Sequence, residues 1–331
     1  MPSSLYKYFS NTVSTKTQRN HSLDALENNT VYLQNPMLFD DPYDCTIVVD
    51  EQEFAFRRIT YYAGLCGLTV STEWNYTKTE KEFSAYLHQG LDSGKHIEKF
   101  FPPNSLDNSV LGSQHMIFMN NLKIGIEEFR NADNMWSKIF YKAIHDEYTN
   151  MQKVLIHNFR VSCFSESPYS MLMWSHYANS HMGFCIEYEI PPYTDSYVSL
   201  FHNLFPVIYS DERTSVLDQC IQYQEELELK KEILWDLLKY GLLTKSMVWK
   251  YQNEWRLISY GDMLTRGNDF NCRFFDIKKV YLGSKMSNED RIKVIEICKR
   301  KHIPYVGVIM SQSQYEIMDC ARLCEDCPKI F

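Results

Sequence analysis

The chain has 331 residues, 44% of them hydrophobic and 23% charged. That composition excludes disordered, collagenous and low-complexity classes, and the length suffices for a sizeable core without staples. A formal net charge of −8 argues against a wide basic surface for duplex nucleic acid.

In chain order, Leu5-Tyr-Lys-Tyr-Phe9 reads as a short strand. Ser22 to Glu27 reads as a helix with Ser22 at its N-cap. Val31 to Gln34 is a second strand, ended by the turn signal Asn35-Pro36. After the carboxylate-dense Leu38-Phe-Asp-Asp-Pro-Tyr-Asp44, a third strand is expected over Cys45 to Val49. From about 51 to 158 apolar residues recur at helical spacing, interrupted by Pro102-Pro103. Period-two character returns at Phe159 to Phe164. A helix follows over Ser170 to Asn179, capped by Ser170, then a strand over Gly183 to Ile190. Phe205 to Tyr209 is a further strand, and Thr214 to Lys245 a long helical region of interleaved Glu and Lys. Strands are expected at Glu254 to Tyr260, Phe274 to Ile277, Val280 to Leu282 and Tyr305 to Met310. A helix over Asn288 to Lys299 precedes the last of these. The expected fold is α+β: residues 1–50 and 159–331 form one core around a mixed or antiparallel split sheet, and 51–158 is a helical insertion.

The opening MPSSLYKYFS has no apolar signal core, and no run of about 18 apolar residues is present to cross a membrane. Most of the ten cysteines sit in apolar runs, such as Val161-Ser-Cys-Phe164. They are expected to be reduced, buried thiols of a cytoplasmic protein. The tail Cys320-x₃-Cys324-x₂-Cys327 needs a fourth ligand to hold zinc, with Cys272, Cys298 and His302 as candidates. An unliganded tail is the expectation, and no metal is assigned. Asp40, Asp41 and Asp44 lack the EF-hand pattern and are read first as turn-capping carboxylates.

Leu5-Tyr-Lys-Tyr8, Pro36-Met-Leu-Phe-Asp-Asp-Pro-Tyr-Asp44, Cys163-Phe-Ser-Glu with Met173-Trp-Ser-His-Tyr-Ala178 and Gly183-Phe-Cys-Ile186, and Glu254-Trp-Arg-Leu257 ahead of Val280-Tyr-Leu-Gly283 together resemble an uncharacterised bacterial family, domain of unknown function 2971. More distantly, the order of elements is similar to ADP-ribosyltransferases, including DNA-modifying ones of toxin–antitoxin pairs. That resemblance implies an ADP-ribosyltransferase-like fold and NAD as substrate. It also implies a first strand at the NAD site (Tyr6, Lys7, Tyr8), a serine strand (Ser162 to Ser165) and an aromatic helix over nicotinamide (Trp174 to Tyr177). Catalysis would fall to Gln252-x-Glu254. Lys7 stands where the family has Arg or His.

The residues themselves fit such chemistry. A dry, oriented Glu254 that accepts from a ribose hydroxyl would stabilise an oxocarbenium-like transition state. Gln252 and Arg256 are expected on the same strand face as Glu254. Ser162 or Ser165 would bond the carboxamide. Trp174 or Tyr177 would stack on the ring, with His176 or His181 donating to phosphate or ribose. Against this stands a plain Glu–Arg pair. Nucleophile-elbow, Rossmann and P-loop motifs are absent. The expected function is NAD-dependent ADP-ribosyl transfer to a macromolecular or small-molecule acceptor, in stress or phage defence. The alternative is a non-catalytic nucleotide sensor or partner-binding protein of a defence system. Glu254→Gln is expected to lower turnover about 10²-fold with folding nearly intact.

Overall fold

Period-two alternation makes the first strand a divider between two apolar layers. In Ser4–Phe9 (β1), Leu5 is buried among Leu26, Phe164, Phe184 and Ile186, while Tyr8 is buried with Met173, Trp174, Cys185 and Tyr281. The sheet built around β1 is therefore covered on both faces.

The computed structural model describes residues 1–51, 159–219, 235–260 and 270–320, with positions 53, 54, 57, 138, 142, 145, 146, 148, 149 and 264 between them. By packing the chain divides into two units. One comprises Met1–Cys45, His157–Glu212 and Leu243–Phe331; the other comprises Thr46–Ile156 and Arg213–Leu242. The helical insertion expected over 51–158 lies almost wholly outside the described residues.

In the first unit β1 is followed by α1 (His21–Asn28), β2 (Thr30–Tyr32), β3 (Phe159–Ser165), α2 (Met171–Tyr177), β4 (Phe184–Glu189) and α3 (Val198–His202). Next come β5 (Leu204–Pro206), β6 (Ile208–Tyr209), β7 (Thr244–Lys245), β8 (Glu254–Tyr260), β9 (Asn271–Arg273) and β10 (Ile277–Leu282). The last described elements are α4 (Asn288–Arg300), β11 (Tyr305–Met310) and β12 (Ile317–Asp319). Eight strands form one mixed sheet in the order β12-β11-β10-β4-β1-β3-β8-β5. Its neighbours are antiparallel except β10 and β11, which are parallel and joined through α4. The protein is thus a mixed α/β structure. β2–β9 and β6–β7 are separate two-stranded pairs.

One junction in the large sheet differs from the rest. β1 pairs with β4 continuously from Ser4↔Glu189 to Phe9↔Phe184, and β3 with β8 from Phe159↔Tyr260 to Ser165↔Glu254. β1 and β3 meet through Tyr6↔Ser165 alone. Lys7 spans that seam, its Nζ donating to Ser162 Oγ at 2.9 Å and to the Cys163 carbonyl at 3.1 Å.

Local chemistry sets the element ends. α1 is capped by Asn20 rather than Ser22: the Asn20 carboxamide oxygen accepts from the Ser22 and Leu23 N–H groups, one residue pair earlier than expected. Ser170 caps α2 as expected. Ser287 caps α4, with Glu289 and Asp290 in the first turn and Lys299 and Arg300 in the last, complementing the helix dipole. The strand expected at Cys45 to Val49 does not form. Cys45 is left-handed (φ 54), and only Val48 makes a bridge, to Ser215. Phe274 and Phe275 are core aromatics ahead of β10 rather than part of it. After α2 the chain drops through three left-handed residues, Asn179, Ser180 and His181. Gly183 and Gly283 allow the close approach there: a Cβ would sit 1.9 Å from the Phe9 carbonyl oxygen and 2.2 Å from that of His181.

Candidate functional site

Asn253 (φ 41) turns the chain from the 3₁₀ turn Met247–Gln252 into β8, so Glu254 begins the strand. Alternation puts Glu254 and Arg256 on one face, opposite Ser165 and Cys163 of β3 in register. Lys245 reaches the same face from β7, and the acidic loop delivers Asp44 and Cys45. Asp44, Lys245, Glu254 and Arg256 are all buried.

The four charges close on one another. Arg256 Nε donates to Glu254 Oε1 at 2.7 Å, and its Nη2 to both Asp44 oxygens at 2.8 Å. Lys245 Nζ donates to Glu254 Oε2 at 2.7 Å and Gln252 Oε1 at 2.9 Å, and lies 3.0 Å from Asp44 Oδ2. Each cation bridges both carboxylates, and the sum is zero. Burial alone would raise the Glu254 carboxyl; the Arg256 and Lys245 charges and hydrogen bonds outweigh it and hold it at about 2. Burial likewise works against both cations; Glu254 and Asp44 override it for Lys245, and Cys45 with the two carboxylates overrides it for Arg256, raising both. The Cys45 Sγ accepts from Arg256 Nη1 at 3.0 Å. Burial pushes the Cys45 thiol well above its ordinary range.

A second shell of hydrogen bonds leads outward. Ser165 Oγ donates to the Gln252 carbonyl, and Tyr209 Oη accepts the Glu254 N–H. Gln252 Nε2 donates to Tyr177 Oη at 2.8 Å. Tyr177 is 41% exposed, so the phenol is where the buried cluster meets the surface. Asp41 does cap a turn, through the Tyr43 N–H, and it also accepts from Trp249 Nε1.

The structure divides the sequence-predicted set. Glu254, Gln252, Arg256, Ser165 and Tyr177 come together. Gln252 does so from the end of a 3₁₀ turn, not from the strand as expected. Lys7 and Ser162 fall on the opposite sheet face, with Leu5 and Phe164, because they alternate with Tyr6 and Cys163. Lys7 lies 5.1 Å over the Phe164 ring. Tyr8 and Trp174 are core, packed edge to face, with hydroxyl and indole donating to the Ser167 and Pro168 carbonyls. Tyr6 packs against Tyr281 beside Glu187, and burial raises its phenol to about 12. His176 is exposed beside Tyr177.

Lys245, Tyr209 and the ion-pairing role of Asp44 escape the sequence reading. Lys245 does carry a signal: it is a lone charge after Leu242-Leu243-Thr244 and before Ser246-Met247-Val248-Trp249. Among the described residues no group of three or more His, Cys, Asp or Glu is arranged to hold a metal. Cys45, Cys163, Cys185, Cys272 and Cys298 are not disulfide-bonded. Cys320 is disulfide-bonded, which corrects the expectation of reduced cysteines throughout. Cys324 and Cys327 lie outside the described residues. No described helix is long and apolar enough to cross a membrane.

Comparison with known families places one segment. Residues 173–257 match a family model described as protein of unknown function (DUF2971). The DUF2971 segment runs from α2 into β8 and carries Tyr177, Lys245, Gln252, Glu254 and Arg256, whereas Asp44 comes from outside it. No curated protein and no solved structure matches the chain.

Proposed function

We propose that this protein is an NAD-dependent ADP-ribosyltransferase whose site is the cluster that brings Glu254 of β8 together with Gln252 and Tyr177. The observation that supports this is Glu254 itself: a buried, ionised carboxylate of fixed orientation, linked through Lys245 and Gln252 to a half-exposed phenol. Breaking the nicotinamide–ribose bond builds positive charge on the ribose, and a preorganised carboxylate lowers that barrier. Lys245 and Arg256 each donate to one Glu254 oxygen and fix the carboxylate that would accept from a ribose hydroxyl. The Tyr177 ring offers a surface for the leaving nicotinamide. Lys7 and Ser162 have no part in this arrangement, since they face the other way. The test is incubation of purified protein with labelled NAD and cell extract. Nicotinamide release with label transfer supports the enzyme, and no release over background refutes it.

A second reading is favoured by the neutrality of the cluster and the complete burial of Arg256. Here the same cluster binds a nucleotide without chemistry, in a sensor or partner-binding protein. Calorimetric NAD binding with no nicotinamide release would select it.

A further inference from the structure

The direction of one hydrogen bond at the rim of the site follows from a group that can only donate. A lysine ammonium has no acceptor. The Gln252 atom facing Lys245 Nζ at 2.9 Å is therefore its carbonyl oxygen, and the amide nitrogen must face Tyr177. The Tyr177 oxygen accepts from that nitrogen, which leaves the phenol proton directed elsewhere. No group among the described residues accepts it, and the side chain is 41% exposed. Lys245 Nζ donates to Glu254 and Gln252 and lies 3.0 Å from Asp44 Oδ2, so the polarity of the chain is set from its buried end.

We propose that Tyr177 is the hydrogen-bond donor this site presents to its ligand, and that Lys245 and Gln252 are positioning residues that set the polarity of its hydroxyl. The inference rests on the nucleotide-binding reading above and narrows it: the ligand places an acceptor oxygen, of carboxamide, ribose or phosphate, against Tyr177 Oη. Burial raises the phenol to about 12, so the donor persists across the neutral range. The Ser170 cap and the fully buried Trp174 hold the helix that carries it.

Replacing Gln252 by Glu keeps size and shape but puts an acceptor on both sides. The new carboxylate accepts one hydrogen bond from Lys245 and another from the Tyr177 hydroxyl, turning the donor inward. Calorimetry with NAD, ADP-ribose and nicotinamide is run on the wild type, Tyr177→Phe, Gln252→Glu and the double variant. Each single change is expected to weaken binding of the contacted ligand about tenfold, the size of one lost hydrogen bond. The double variant should be no weaker than either single one. The pattern over the three ligands tells which oxygen is contacted. Wild-type affinity in Gln252→Glu, or additive losses, overturns the proposal. Tyr177→Phe alters one exposed hydroxyl and keeps the test open if Gln252→Glu does not fold: unchanged affinity there also overturns it. A ligand-free measurement separates polarity from binding. The ¹³Cζ resonance of Tyr177, assigned by its loss in Tyr177→Phe, is expected to move in Gln252→Glu, and an unmoved resonance refutes the polarity argument. A wild type that binds none of the three ligands refutes both the nucleotide reading and this ligand role, whatever the resonance does.

Discussion

Replacing Glu254 by Gln removes one of two carboxylates from a closed set of two cations and two anions. Arg256 and Lys245 are then left buried against Asp44 alone, a net charge of +1 with no solvent to dissipate it. Taking the carboxyl from its ordinary value of 4.5 to about 2, at ~1.36 kcal/mol per pH unit, corresponds to about 3 kcal/mol of native-state stability. Breaking a buried pair from one side costs about 3–5 kcal/mol by general experience. Both figures predict a marked loss of stability, where the sequence alone leads to the expectation that Glu254→Gln leaves folding nearly intact. The assay is urea unfolding of wild type and variant at pH 7, then at steps down to pH 2. Because the folded carboxyl is depressed, its contribution is complete above about pH 5 and is lost as pH falls through about 2. Wild type should shed that increment over this window, and the variant should lack it. Adding Lys245→Met restores neutrality, so the double variant should lose less than the sum of the singles. A Glu254→Gln protein within about 1 kcal/mol of wild type at pH 7 would refute the account of the cluster as a mutually dependent unit.

Other consequences are equally measurable. Gly183→Ala should destabilise by more than about 2 kcal/mol in urea, since the new methyl meets the Phe9 backbone and not a movable side chain; a change under 0.5 kcal/mol would show that the strand can shift. Burial and Lys285 hold the His181 imidazole below its ordinary range, so the unfolded chain takes the proton first and stability should decline as pH falls below about 6.5. His181→Asn, which tolerates the left-handed backbone, should flatten that slope between pH 7 and 5; an unchanged slope would assign it to other groups. Cys45 and Cys185 are buried and their thiols raised well above the ordinary range. Both should resist a disulfide reagent at pH 8 until urea unfolds the protein, and native labelling of either would contradict the packing.

Strands of six or seven residues rich in apolar and β-branched side chains are legible from sequence, and both Glu254–Tyr260 and Tyr305–Met310 are found with the expected bounds. Two- and three-residue strands such as β7, β9 and β12 carry too little periodicity to be seen. Helix starts are read from cap chemistry, which is why Ser170 is found while Asn20, two residues before an equally plausible Ser22, is not. The charge cluster is the harder case. Glu254 and Arg256 stand out because they share a strand face, but Asp44 is 212 residues from Arg256, and no local pattern records that pairing. Family order groups Lys7 and Ser162 with Glu254. Alternation read along β1 and β3 jointly separates them once the Tyr6↔Ser165 register is known.

The single pair joining β1 to β3 bears on how the chain is made. β1 leaves the ribosome well before its partners: Ser162, which Lys7 grips across the seam, lies 155 residues downstream, and its continuous partner β4 follows later still. Until then both edges of an apolar strand stay open. Closing loops of that length before any contact rewards them makes folding slow, and the waiting edge is a site for mispairing with other chains. The β3–β8 pairing closes a shorter stretch, from Ser165 to Glu254 at its nearest pair. Synthesis of this protein should therefore be more sensitive to chaperone supply than its native stability would suggest.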